Sequence, residues 1–132
     1  MPHSHNDPGW VKTLDVYYQG QTKIILNTIV DSLTGHPNRK FIWAETIFLN
    51  MWFDDESVSA SRKANFKELL KNGQIEIVTG GWVMTEEAPT HYFAIGLIIF
   101  TFCNDFLRIF LNLSKVIHHV LQNQIRIVII RM

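Results

Sequence analysis

A single cysteine excludes a disulfide within this chain. Cys103 has no second cysteine among the 132 residues, and a lone thiol leaves the redox compartment open. Neither sign of charge prevails. Twelve Lys and Arg balance twelve Asp and Glu, so the basic footprint of a nucleic-acid binder is missing. The opening Met1-Pro2-His3 has neither a basic region nor an apolar run, and no signal peptide or anchor is expected there. A long uncharged apolar stretch is also wanting. Leu97 to Leu113 comes closest, but Asn104, Asp105, Arg108 and Asn112 interrupt it. A membrane span needs about 18–20 largely uncharged residues. The length allows at most one ordinary domain.

What is present divides at one point. Residues 1–95 hold eight Lys/Arg against eleven Asp/Glu, whereas residues 96–132 hold four (Arg108, Lys115, Arg126, Arg131) against one (Asp105). All four tryptophans and all four prolines precede residue 96. The remainder is dense in Ile, Leu, Phe and Val. Several properties changing together suggest two pieces of different origin.

The richest stretch is His5-Asn6-Asp7-Pro8-Gly9-Trp10. In extended chain, alternate side chains share a face, so His5 and Asp7 converge. An imidazole and a carboxylate together suit Zn²⁺ or a similar divalent ion. Asp7-Pro8-Gly9 forces a turn. Trp10 emerges beyond it with a flat face free to stack on a substrate. The same residues are also ordinary turn composition, and two ligands do not complete a metal site.

Further along, Leu14, Tyr17, Ile24, Ile25, Thr28, Ile29 and Leu33 recur at three- and four-residue steps. They predict a helix over 12–33 with those residues inward, stopped by Gly35. Gly20 marks a place to pause or bend. Lys40 to Ala44 reads as a buried strand. Glu45 follows at the end where α/β folds place their chemistry; a solvated carboxylate capping the next element is the plainer reading. Asp54-Asp55-Glu56-Ser57 is an acidic helix start, with a helix running to Lys71 and ended by Asn72-Gly73. Ile75 to Val78 is the next strand, and Gly80 to Met84 a loop at its end. Alternating units predict an α/β fold with a parallel sheet and outer helices. The His5–Trp10 turn, Glu45 and the Gly80–Met84 loop would gather on one face. Only four residues precede His5, fewer than the about five or six of a typical strand. An unpaired sheet edge beside the site is therefore expected.

These motifs carry a resemblance. His3-Ser4-His5-Asn6-Asp7-Pro8-Gly9-Trp10 looks like the signature opening of the family 38 α-mannosidases. Lys40-Phe41-Ile42-Trp43-Ala44-Glu45 and Asn72-Gly73-Gln74-Ile75-Glu76-Ile77-Val78-Thr79-Gly80-Gly81-Trp82-Val83-Met84 are similar to later blocks of that family, followed by Glu87-Ala88 and His91-Tyr92. The likeness covers residues 2–95, and its second block looks more like the Golgi α-mannosidase II branch.

The resemblance implies an α/β barrel-like domain, here partial and truncated at both ends. It implies removal of α-linked mannose from N-glycans with retention of configuration. It implies zinc, with His5 and Asp7 as two ligands and Trp10 as a wall against the sugar ring. It also implies action in the Golgi lumen. The aspartate nucleophile and the remaining histidine ligand belong to blocks that do not occur in this sequence. No catalytic residue is therefore assigned, and Glu86 and Glu87 read as a solvated loop. A non-catalytic product that binds metal or mannose weakly, or does not fold stably, is the competing expectation.

After Ile95 the likeness stops. Residues 96–132 read as sequence foreign to the family, such as a translated intron, which transcript sequence across the codons for Ile95 and Gly96 would test. Within it, His118-His119 reads as incidental. Asn112-Leu113-Ser114 fits the glycosylation acceptor pattern, and Ile125 to Ile130 is an aggregation hazard if exposed.

Overall fold

The computed structural model describes residues 2–78 and 81–84. Glu86, Glu87 and the whole 96–132 segment, with its acceptor triplet, histidine pair and β-prone run, lie outside them.

The described elements are α1 (Leu14–Tyr17), a π-helical turn (Tyr18–Thr22), α2 (Lys23–Thr34), β1 (Phe41–Trp43), α3 (Thr46–Asp54), α4 (Ala60–Lys71) and β2 (Ile75–Ile77). The class is mixed α/β, with β1 and β2 paired in parallel from Phe41↔Ile75 to Trp43↔Ile77. Parallel strands need a long crossover, and α3 and α4 supply it.

The edge expected to be unpaired is paired. His3 bridges to Ile42 in parallel. The Ile42 N–H donates to the Pro2 carbonyl at 3.1 Å, and the Ser4 N–H to the Ile42 carbonyl at 2.9 Å. Residues 2–4 are too few for a regular strand, yet they suffice for two ladder bonds on the outer side of β1.

The first helix is where the expected pattern is corrected. Its buried residues are Tyr18, Thr22, Leu26, Val30 and Leu33, mostly four apart. A regular α-helix repeats every 3.6 residues, so a four-residue period drifts off one face. The π-turn absorbs the drift, because its i→i+5 bonds take an additional residue into one turn. Gly20 lies in that turn. Ile24, Ile25 and Thr28 consequently rotate outward, with Ile24 59% exposed. Together with Pro2, Ile29 and Phe41 they line an open apolar groove of about 560 Å³.

A second correction concerns residues 46–59. Thr46–Asp54 forms α3, a helix the sequence reading left out. Its side chains are apolar nearly all round, which hides helical periodicity, and Thr46, Phe48, Leu49, Trp52 and Phe53 are buried. The acidic run therefore ends α3 instead of opening α4. That helix begins at Ala60, where the Ser59 side chain accepts the Arg62 N–H at 3.3 Å, an ordinary N-cap.

The core joins these elements. Trp52, Phe53 and Phe66 pack with ring centroids 5.1 to 5.5 Å apart. Buried indole N–H groups find acceptors, as is usual for this residue: Trp52 donates to Asn27 Oδ1 and Trp43 to the Glu45 carbonyl. Gln74 ties the α2–β1 connection to the start of β2, its amide donating to the carbonyls of Leu33, His36 and Arg39. No helix among the described residues is long and apolar enough to cross a membrane.

Candidate functional site

The N-terminal segment runs along β1 and is fastened to it rung by rung. Beyond the two backbone bonds at Ile42, the Ala44 N–H donates to Ser4 Oγ at 2.9 Å. One step further, the Asn6 N–H donates to Glu45 Oε1 at 2.9 Å. Side chains take over the ladder at the point where β1 ends and the backbone turns into α3. The rungs at 2, 4 and 6 leave His5 and Asp7 at the C-terminal end of the sheet edge, where α/β folds present their ligands.

There His5 Nε2 stands 3.5 Å from Asp7 Oδ1. Their side chains are 62% and 43% exposed, so as an ion pair they add little to stability. As ligands they fit. Two donors each about 2.0–2.2 Å from one tetrahedral ion lie about 3.3–3.6 Å apart. Among the described residues no group of three His, Cys, Asp or Glu converges, so this pair alone does not complete the four-ligand shell of a tetrahedral ion. Gly9, at φ +79, sits in the left-handed region that glycine adopts without penalty. Trp10 follows the turn and is 77% exposed.

Glu45 corrects the plainer reading of it as a solvated cap. It is fully buried, and its side chain does not cap α3. The first turn of α3 is satisfied from elsewhere. The Thr46 N–H and hydroxyl both donate to the Gly81 carbonyl, and the Ile47 N–H donates to the Trp82 carbonyl at 3.1 Å. Helix N-termini leave such donors unpartnered, and the Gly81-Trp82 backbone closes them. The three sequence blocks thus meet across three consecutive residues, Glu45, Thr46 and Ile47. Sequence reasoning overlooked Ser4 and Thr46. A small hydroxyl residue beside a strand has many uses, and nothing in its spacing marks it.

A model of the glycosyl hydrolases family 38 N-terminal domain matches residues 1–113 of this chain. The chain belongs to glycosyl hydrolase family 38. Among curated relatives, this family 38 chain is 54% identical over 95 residues to alpha-mannosidase 2x of Mus musculus. It is 52% identical over 95 residues to alpha-mannosidase 2 of Arabidopsis thaliana, and 50% to that of Homo sapiens. Each alignment covers 72% of this chain and 8% of the relative. The chain therefore spans a small part of the length of those relatives.

Proposed function

We propose that this chain is a portion of the catalytic domain of a zinc-dependent, retaining α-mannosidase acting on mannose-containing N-glycans. The approach of His5 Nε2 to Asp7 Oδ1, 3.5 Å apart at the end of the sheet edge, carries the reading. His5 and Asp7 would hold the ion. When bound, zinc would supply Lewis-acid contacts to sugar hydroxyls. Trp10 offers an exposed flat face on which the apolar side of a mannose ring can stack. In the longer protein the parallel pair would extend into a closed barrel-like sheet with outer helices, and the site would work in the Golgi lumen.

The chain by itself is proposed to be inactive. A retaining glycosidase needs two carboxyl groups about 5–5.5 Å apart, one nucleophile and one acid/base. Asp7 faces His5, and Glu45 is buried against Asn6, so neither is free for those roles. Residues 96–132 are proposed to be a segment of different origin that contributes nothing to the site, although the family model runs on to residue 113.

Two measurements on the purified chain test this. Zinc content after dialysis should be detectable and should fall to background in His5→Ala. Hydrolysis of an aryl α-mannoside should be absent, and should appear once the downstream family sequence is restored. Turnover by the 132-residue chain alone would overturn the account of the catalytic residues. Zinc content unchanged in His5→Ala would overturn the metal site.

A further inference from the structure

Glu45 is not used by that reading, and its placement is costly. It is a carboxylate with no solvent exposure. Burying such a group is unfavourable unless its oxygens are satisfied. One oxygen accepts the Asn6 N–H at 2.9 Å; the other, Oε2, is buried and has no hydrogen-bond partner among the described residues. Asn6 is the residue between His5 and Asp7. Its N–H is fixed by Glu45 from a position 39 residues away in sequence.

We propose that Glu45 is the positioning residue for the His5–Asp7 pair, a deepening that rests on the metal reading above. The two ligands flank a single residue, Asn6, whose backbone N–H Glu45 holds. Fixing that donor sets the backbone directions from which both side chains depart. No other described element bonds the backbone of residues 5–7. Upstream, the last rung is the Ser4 hydroxyl; without Glu45 the ladder would end there, and the segment would swing from Ser4. The pairing then acts as an outer-shell contact that orients ligands. Loss of such contacts typically costs about 10–100-fold in metal affinity.

The geometry separates holding from charge. Gln at 45 keeps an acceptor for the Asn6 N–H and removes the charge, whereas Ala removes both. The test uses the 132-residue chain with two readouts: hydrogen exchange of the Asn6 amide without metal, and titration with Co²⁺ followed by its visible absorption. Glu45→Ala should lose the Asn6 protection and bind Co²⁺ about 10-fold or more weakly. Glu45→Gln should keep both near the parent values. Phe66→Leu, a core change remote from the turn, should lower stability and leave both readouts unchanged.

Protection of Asn6 that persists in Glu45→Ala overturns the proposal. So does an equal loss of affinity in Phe66→Leu, which would make Glu45 an ordinary stabilising group. If the parent chain takes no cobalt, the metal reading falls. The hold on the turn is then decided by Asn6 exchange alone, and an unprotected amide in the parent chain overturns it.

Discussion

Ser4 Oγ accepts the backbone N–H of Ala44 at 2.9 Å, with Ser4 4% and Ala44 5% exposed. The bond joins residues 40 apart in sequence and is the side-chain rung just before the His5–Asp7 pair. Ser4→Ala leaves a buried N–H without an acceptor, which costs about 1–3 kcal/mol. Urea unfolding followed by tryptophan fluorescence should show a loss in that range. An unchanged midpoint would mean that water reaches Ala44 and the rung is dispensable.

The sequence was informative where a motif states its own geometry. Asp7-Pro8-Gly9 announces a turn, Asn72-Gly73 a helix stop, and Ile75-Glu76-Ile77 a strand alternating about its face; Gly9 and Gly73 do take positive φ. The parallel α/β class followed from the alternation of elements. What escaped was set by context. Glu45 reads in sequence as a surface cap, and among the described residues the Asn6 N–H is what partners its buried carboxyl group. The helix α3 has too many apolar residues for a period to show. The inner face of α2 depends on a π-turn, which changes the phase of every later residue and leaves no mark beyond Gly20.

That change of phase makes a direct comparison possible. Val30 is fully buried and Ile24 is 59% exposed, although a uniform 3.6-residue period ranks them the other way. Val30→Ala should cost about 1.5–3 kcal/mol, as for a buried aliphatic side chain truncated in a close-packed core. Ile24→Ala should stay within about 0.5 kcal/mol of the parent, as surface changes usually do. Equal costs would show that the Ile24 groove is covered and that both faces of α2 are buried.

Asp55 gives the fold a defined response to acid. Its Oδ1 accepts from the Ser57 hydroxyl and N–H, and its Oδ2 from Tyr18 and Lys23. Hydrogen bonds from Ser57 first, then from Lys23, hold its carboxyl well below the usual carboxylate range. The unfolded chain, with an ordinary value of about 3.9, therefore takes up the proton first as pH falls. The stability contributed by ionised Asp55 is complete above that value and is lost as pH drops through the folded one. Burial, and next the bond to Asp55, raises the Tyr18 phenol far above its ordinary range, so Tyr18 contributes no slope in acid. Asp55→Asn should cost about 1.5–3 kcal/mol at pH 7, the worth of hydrogen bonds to a charged group. The difference from the parent should shrink steadily below pH 4. A gap that stays constant into strong acid would show that Asp55 acts by shape and not by charge.

Thr22 makes the opposite kind of prediction, a substitution that improves the fold. It is fully buried in the π-turn, and its hydroxyl has no partner among the described residues. Helical threonines ordinarily donate to the carbonyl four residues back. Thr28 and Thr34 do so, to Ile24 and Val30 at 2.8 and 2.7 Å. For Thr22 that carbonyl belongs to Tyr18, and the π-turn gives it to the Lys23 N–H instead. The hydroxyl thus bears the cost of leaving water with nothing in return. Thr22→Val keeps the branched shape and its restricted χ1 while removing the polar atom, and should raise stability by about 1 kcal/mol. Thr22→Ser keeps the hydroxyl and deletes a methyl group, and should lower stability by about 1 kcal/mol through the cavity left behind. The two variants therefore move the urea midpoint in opposite directions. A midpoint that falls in Thr22→Val would show that the hydroxyl is bonded after all, and that the π-turn is held by a contact made through it.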